Sequence, residues 1–191
     1  MPKEIAMSEF TIHSLKTAPE EALPILEQAK ARMGIVPNLY GVMAESPLTL
    51  KAYTTLSQWL DDSVFTAEER GLLWLIISRV NHCTYCVAAH SMLAAMSKVP
   101  ESHIAAVRKG DPISDQKLET LRRFAERMTE SRGFVSGQEV DTFLEAGYTR
   151  RHVLEVVTFI AHKTISNYTN HLAGTPLDPA FSAFAWSQEK G

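Results

Sequence analysis

The chain has two cysteines, and both lie in one short stretch, Cys83-Thr84-Tyr85-Cys86-Val87-Ala88-Ala89-His90. On an α-helix, residues three and four apart share a face, so Cys83, Cys86 and His90 would form one stripe. A thiol reacts as its thiolate, and two influences here would lower its pKa below the free value of ~8.5. The positive end of the helix acts on Cys83, and the imidazole of His90 acts on Cys86 one turn away. These point to different sulfurs, and spacing does not choose between them.

A C-x-x-C loop is too short to brace a fold, and in a reducing compartment such a pair is catalytic, redox-sensing or metal-binding. Zinc would want four ligands, whereas this stripe offers three and the chain has no second cysteine pair. A buried structural pair is the plain alternative, since free cysteine is a common core residue. If the pair cycles, its small disulfide ring is reducible. With a hydroperoxide as oxidant, one thiolate would take the outer oxygen and become a sulfenic acid. The second cysteine would capture it as a disulfide, left for an external dithiol reductant.

The elements around this stripe read as helices. Pro19 precedes an apolar periodicity over Glu21 to Met33 that Gly34 stops, and a short helix follows from Asn38 to about Glu45. Ser46-Pro47 is an N-cap with proline at the first helical position, launching a helix to about Asp61. Thr66-Ala67-Glu68-Glu69 has the capping-box form and opens a helix to Val80. That helix holds Leu72, Leu73, Trp74, Leu75, Ile76 and Ile77, apolar around its circumference and therefore enclosed by its neighbours. After a break at Asn81-His82, a helix spans about Thr84 to Ser97.

Further helices are expected near 101–109, 115–131 and 137–146, and Thr149 caps a long one to about Ala173. No segment alternates with period two. The expected fold is all-α and a single domain over 1–191, with an arm at 1–18 and a tail at 177–191. Arg151 to Gly174 faintly echoes the scheme of a capped apolar helix followed by small polar residues and a histidine, which raises the idea of two related helical halves. Phe181, Phe184 and Trp186 in the tail should be buried against the body or a neighbouring subunit.

Of the 191 residues, 45% are hydrophobic and 21% charged, enough for a real core, and the net charge is -3. No run of like charges marks a nucleic-acid partner or an anionic membrane. The opening Met1-Pro2-Lys3-Glu4 lacks the apolar block of a secretion signal, and the longest apolar run, Leu72 to Ile77, is too short to span a bilayer. The expected location is cytoplasmic.

The stretch Thr66 to Met96, with its capped apolar helix leading into Asn81-His82-Cys83-Thr84-Tyr85-Cys86, resembles the AhpD-like alkylhydroperoxidase and carboxymuconolactone decarboxylase superfamily, in its peroxidase-related branch. Gly34-Ile35-Val36-Pro37-Asn38-Leu39-Tyr40 running into Glu45-Ser46-Pro47 adds to the likeness, as does Asn167-Tyr168-Thr169-Asn170-His171-Leu172-Ala173. The resemblance implies an all-helical bundle that assembles as dimers, trimers or hexamers. It also implies a peroxidase of organic hydroperoxides that needs no metal or flavin. It assigns Cys86 as the peroxide-attacking thiol, Cys83 as the resolving thiol and His90 as a member of a proton relay.

Two positions depart from the family pattern. The glutamate expected twelve residues before the first cysteine is Gly71 here. Glu69 is the nearby substitute as catalytic base, against its reading as half of a capping box. The histidine common just before the second cysteine is Tyr85, and a phenol is a poor base near neutrality. Two rival functions stay open. One is a redox sensor or interaction protein that uses the dithiol as a switch. The other is a decarboxylase-type enzyme of the same fold, which has no use for a cysteine pair.

Overall fold

The computed structural model describes residues 10–187, so the opening segment read above for a secretion signal lies outside the described residues. A single turn of 3-10 helix, Glu20–Ala22, leads into α1 (Leu23–Met33), followed by α2 (Asn38–Met43) and α3 (Pro47–Asp61). Then come α4 (Ala67–Val80), α5 (Thr84–Met96), α6 (Glu101–Lys109), α7 (Gln116–Glu130), α8 (Gly137–Glu145) and α9 (Arg150–Ala173). A second 3-10 segment, Pro179–Phe184, forms the tail, and there is no strand among the described residues. The fold is all-α.

The helix starts follow their chemistry. Ser46 accepts the Thr49 amide ahead of Pro47, and the Thr66–Glu69 and Ser136–Glu139 capping boxes both close. Helix α4 is the hub, packed against α5, α6, α7 and α9. Its Leu72, Leu73, Leu75, Ile76 and Ile77 are all fully buried, which is why no polar face interrupts its sequence. Gly71 permits the close approach of α4 to the end of α5: a Cβ there would meet Val99 Cγ2 at 3.3 Å and Ala94 Cβ at 3.6 Å. A side chain at this position would press on the end of α5.

Two hydrophobic cores result. The larger joins α4 to α6, α7, α8 and the first half of α9. The smaller gathers α1, α2, the start of α3, the start of α5 with both cysteines, and Phe181 of the tail. The tail aromatics therefore pack against the body of their own chain. Arg108 holds the tail there by donating to the carbonyls of Phe184 and Ala185 at 2.9 and 3.0 Å, and Trp186 Nε1 donates back to the Arg108 carbonyl at 3.0 Å. The sequence echo between α4–α5 and α9 falls on unlike structures, a helix–break–helix in one case and one continuous helix in the other.

The break between α4 and α5 sets the cysteines in place. His82 takes a left-handed conformation (φ 55), and the amide of Cys83 reaches back to the Ser78 carbonyl at 3.0 Å. This ends α4 and leaves Cys83 as the N-cap of α5.

Glu69 closes its capping box by accepting the Thr66 amide at 2.8 Å, and it also accepts the Tyr148 hydroxyl at 3.0 Å. Burial pushes the Glu69 carboxyl up, but these hydrogen bonds and Lys117 outweigh it and hold the pKa below the ordinary value. Its native form thus binds a proton less readily than the unfolded chain. The stability it contributes is present above the unfolded value of ~4.3 and is lost as pH falls through the folded one. Glu69→Gln should cost roughly 1 kcal/mol at neutral pH, the scale of a buried hydrogen bond, and flatten the acid limb of the stability curve. Urea unfolding at a series of pH values measures both.

Candidate active site

Both cysteines are buried free thiols. As N-cap of α5, the Cys83 sulfur accepts the Cys86 amide at 3.3 Å. Asn170, projecting from α9, donates its Nδ2 to Cys86 Sγ at 3.1 Å, with Cys83 Sγ at 3.7 Å. One amide thus spans the pair.

The two sulfurs are driven apart electrostatically. Burial pushes the Cys86 thiol up. A hydrogen bond from Cys83, the positive charge of Lys163, and the amides of Asn170 and Asn167 overcome this and bring it down to about 6. Cys83 moves the other way: its hydrogen bond to Cys86, its burial and the neighbouring thiolate charge all keep its proton on. Cys86 is therefore the thiolate and Cys83 the thiol that solvates it. The helix start does not decide the matter, because the Cys83 sulfur that faces it is also the donor to Cys86.

His90 does not lower the thiol as an imidazolium. Burial above all, then the charge of Lys163, hold its pKa well below the usual histidine value, so the ring is neutral. Its Nε2 lies 2.7 Å from Lys163 Nζ, and an ammonium only donates, which places the imidazole proton on Nδ1. Nδ1 is buried without a partner in the protein. The ring lies stacked on Trp74, at a centroid distance of 5.7 Å and 17°. Lys163 is 0% exposed, and no carboxylate pairs with it among the described residues. Sequence reading missed Lys163, which looks in the sequence like an ordinary surface charge of a long helix.

Cys86, His90, His162 and Lys163 share the floor of a cavity of about 460 Å³ between α1, α2 and α3 on one side and α4, α5 and α9 on the other. Rings supply much of its wall, among them Tyr40, Tyr53, Trp74 and Phe181. Tyr53 stacks on His162 at 4.3 Å and 11°. His162 is also held neutral, by burial first and then by Lys163, and neither of its nitrogens has a partner in the protein.

The structure does not bring Glu69 to this site: its carboxylate is taken by Thr66, Tyr148 and Lys117, and the residue does not line the cavity. The phenol of Tyr85 also turns away from the thiols. It donates to Asp178 Oδ2 at 2.5 Å and accepts the Leu39 amide at 3.4 Å, while Asp178 accepts the Asn38 amide that opens α2. Tyr85 and Asp178 thus tie tail, α2 and α5 together over the site. Among the described residues no three His, Cys, Asp or Glu side chains gather into a metal-holding group.

Neither a protein-family model nor a curated protein matches the chain. Solved structures do. The AhpD core of an uncharacterized peroxidase-related protein from Ralstonia eutropha JMP134 superposes with a TM-score of 0.80 at 21% identity, covering 92% of this chain and 94% of that one. An uncharacterized peroxidase-related protein from Silicibacter sp. TM1040 gives 0.75 at 19% identity, over 93% and 97% of the two chains. The debrominase Bmp8, as a cysteine-to-alanine variant in complex with 2,3,4-tribromopyrrole, gives 0.73 at 18% identity, over 93% and 95%. The fold is AhpD-like.

The electrostatics give a direct test. Alkylation of Cys86 by iodoacetamide should follow a single ionisation near about 6, its rate falling below that pH as the thiolate is protonated. Lys163→Met removes the charge and should shift the profile towards the ordinary ~8.5, slowing alkylation at pH 6 roughly tenfold or more. An unshifted profile in that variant would contradict the assignment.

Proposed function

We propose that this protein is a thiol-dependent peroxidase of organic hydroperoxides, with Cys86 as the attacking thiolate, Cys83 as the resolving thiol and His90, backed by Lys163, as proton donor. The observation that carries the reading is Cys86 on the cavity floor, with Asn170 Nδ2 3.1 Å from its sulfur and the Cys83 thiol, which keeps its proton, hydrogen-bonded to it from behind.

The chemistry balances with these groups. The Cys86 thiolate attacks the outer peroxide oxygen, the O–O bond breaks, and the departing alkoxide takes the Nδ1 proton of His90. Lys163 refills the ring at Nε2, 2.7 Å away. The Cys86 sulfenic acid then condenses with the Cys83 thiol, releasing water and leaving a disulfide for an external dithiol. The chamber supports a bulky substrate, since 460 Å³ is far more than hydrogen peroxide needs.

A second reading takes its support from the ring-lined walls together with the debrominase likeness. In it the same dithiol would remove halogen from an aromatic ring, giving the reduced ring, halide and disulfide. Halide release from a brominated pyrrole by the reduced protein would favour it.

An apolar stripe on the outer side of α9, Leu154, Val157, Tyr168 and Leu172, stays exposed and supports assembly into a homo-oligomer. A sharply monomeric mass at micromolar concentration would contradict that.

Peroxide supplied with a dithiol-recycling system should be consumed by the intact protein, and Cys86→Ser should abolish turnover. Cys83→Ser should leave a sulfenic acid at Cys86 that a dimedone-type probe traps. Robust turnover in Cys86→Ser would overturn the assignment, and oxidation without turnover in the intact protein would favour a sensor.

A further inference from the structure

The cavity holds more hydrogen-bonding capacity than a hydroperoxide uses. A hydroperoxide brings its outer oxygen to the sulfur, and the Nδ1–H of His90 answers the inner one that leaves. Three groups on the same walls remain unanswered. Trp74 Nε1 is a buried donor without a partner in the protein. His162, 1% exposed, has two unpartnered nitrogens. Lys163 has three N–H groups and one hydrogen-bond partner, His90. A buried polar group without a partner carries a cost, so groups gathered around one chamber point to the shape of what enters it.

The surplus is mostly of donors. Trp74 and Lys163 can only donate, and His90 donates from Nδ1, so the complementary ligand is rich in acceptors. The rings that carry these groups lie close together, with Trp74 and His162 centroids 6.3 Å apart and Trp74 and His90 5.7 Å apart. Tyr40, Tyr53 and Phe181 add further rings to the same chamber, a lining that suits an aromatic ligand. The cysteine pair beneath gives up two electrons, with one proton from Cys83 and a second from His90. A planar ring with carbonyl acceptors that takes up two electrons and two protons is a quinone.

We propose that the chamber also accepts quinones and that the Cys83–Cys86 dithiol reduces them to hydroquinones. The Cys86 thiolate adds to a ring carbon, forming a C–S bond, and the carbonyl oxygen that receives the electron pair takes the His90 Nδ1 proton. The Cys83 sulfur then attacks Cys86 Sγ. The S–S bond forms as the C–S bond breaks, the electron pair returns to the ring, and the Cys83 proton goes to the second oxygen. One quinone, the thiolate, the thiol and the His90 proton, which Lys163 replaces, become one hydroquinone and one disulfide. The donors of Trp74, His162 and Lys163 hold the two oxygens while charge collects on them. The proposal shares with the peroxidase reading the dithiol and the His90 proton, and adds the donors of Trp74 and His162.

The test uses duroquinone, whose fully methylated ring closes off stable arylation by thiols. The reduced full-length protein is mixed with it without oxygen or peroxide, following quinone absorbance and free thiols. One hydroquinone per two thiols lost is expected, with Trp74→Phe, which keeps an aromatic ring and removes the N–H, slowing the reaction roughly tenfold. Duroquinone should also quench tryptophan fluorescence of the Cys86→Ser protein saturably, a readout that needs no turnover. Absence of hydroquinone from protein whose thiols still oxidise with cumene hydroperoxide would overturn the proposal and leave the peroxidase reading standing. Equal rates in the intact protein, Trp74→Phe and His162→Leu would also overturn it, since any reactive thiol would then suffice. Thiols inert to both oxidants would sink both readings.

Discussion

A lysine sits fully buried at the centre of this protein with a neutral histidine as its hydrogen-bond partner and a thiolate as its counter-charge. Burying a lone cation is costly, and a carboxylate is the usual remedy. Here the compensating anion is Cys86. The two groups stabilise each other: the charge of Lys163 favours the thiolate, and the thiolate makes the buried ammonium tolerable. A salt bridge to glutamate would have satisfied the lysine and left the thiol inert.

The helices around it position that arrangement. Helix α9 carries Lys163, Asn167 and Asn170 at spacings of four and three, a single face directed at the start of α5. The left-handed turn at His82 frees Cys83 to cap α5, which orients both sulfurs towards that face. The large core anchors α4 and the first half of α9. The smaller core, with α1, α2 and the tail clipped by Asp178 and Arg108, forms a roof and leaves a chamber beneath it.

The helices were legible because each carries local punctuation: Ser46-Pro47, Thr66 with Glu69, Ser136 with Glu139, and Gly34, Gly110 and Gly174 at their ends. The cysteine stripe was legible by spacing alone. Electrostatic roles were not, because they depend on groups far apart in the chain. Lys163 lies 73 residues from His90 and Asn170 lies 84 from Cys86. The stretch Asn167 to Ala173 stood out as a motif, yet nothing local tells that its amides reach sulfur. Both local arguments about the thiols therefore pointed at incomplete causes. The helix start acts on a sulfur that is itself a donor, and the histidine is neutral because burial first, and then the charge of the lysine beside it, disfavours its cation.

The same charge pattern bears on the reverse half of any redox cycle. A dithiol whose thiolate is stabilised by a buried cation and two amides has a favoured reduced form, and favouring the reduced form makes the disulfide the stronger oxidant. On oxidation Cys86 loses its negative charge, so Lys163 loses its counter-ion inside a low-dielectric chamber. Reopening the disulfide restores the pair. The charge pattern around Cys86 thus favours the reduced pair.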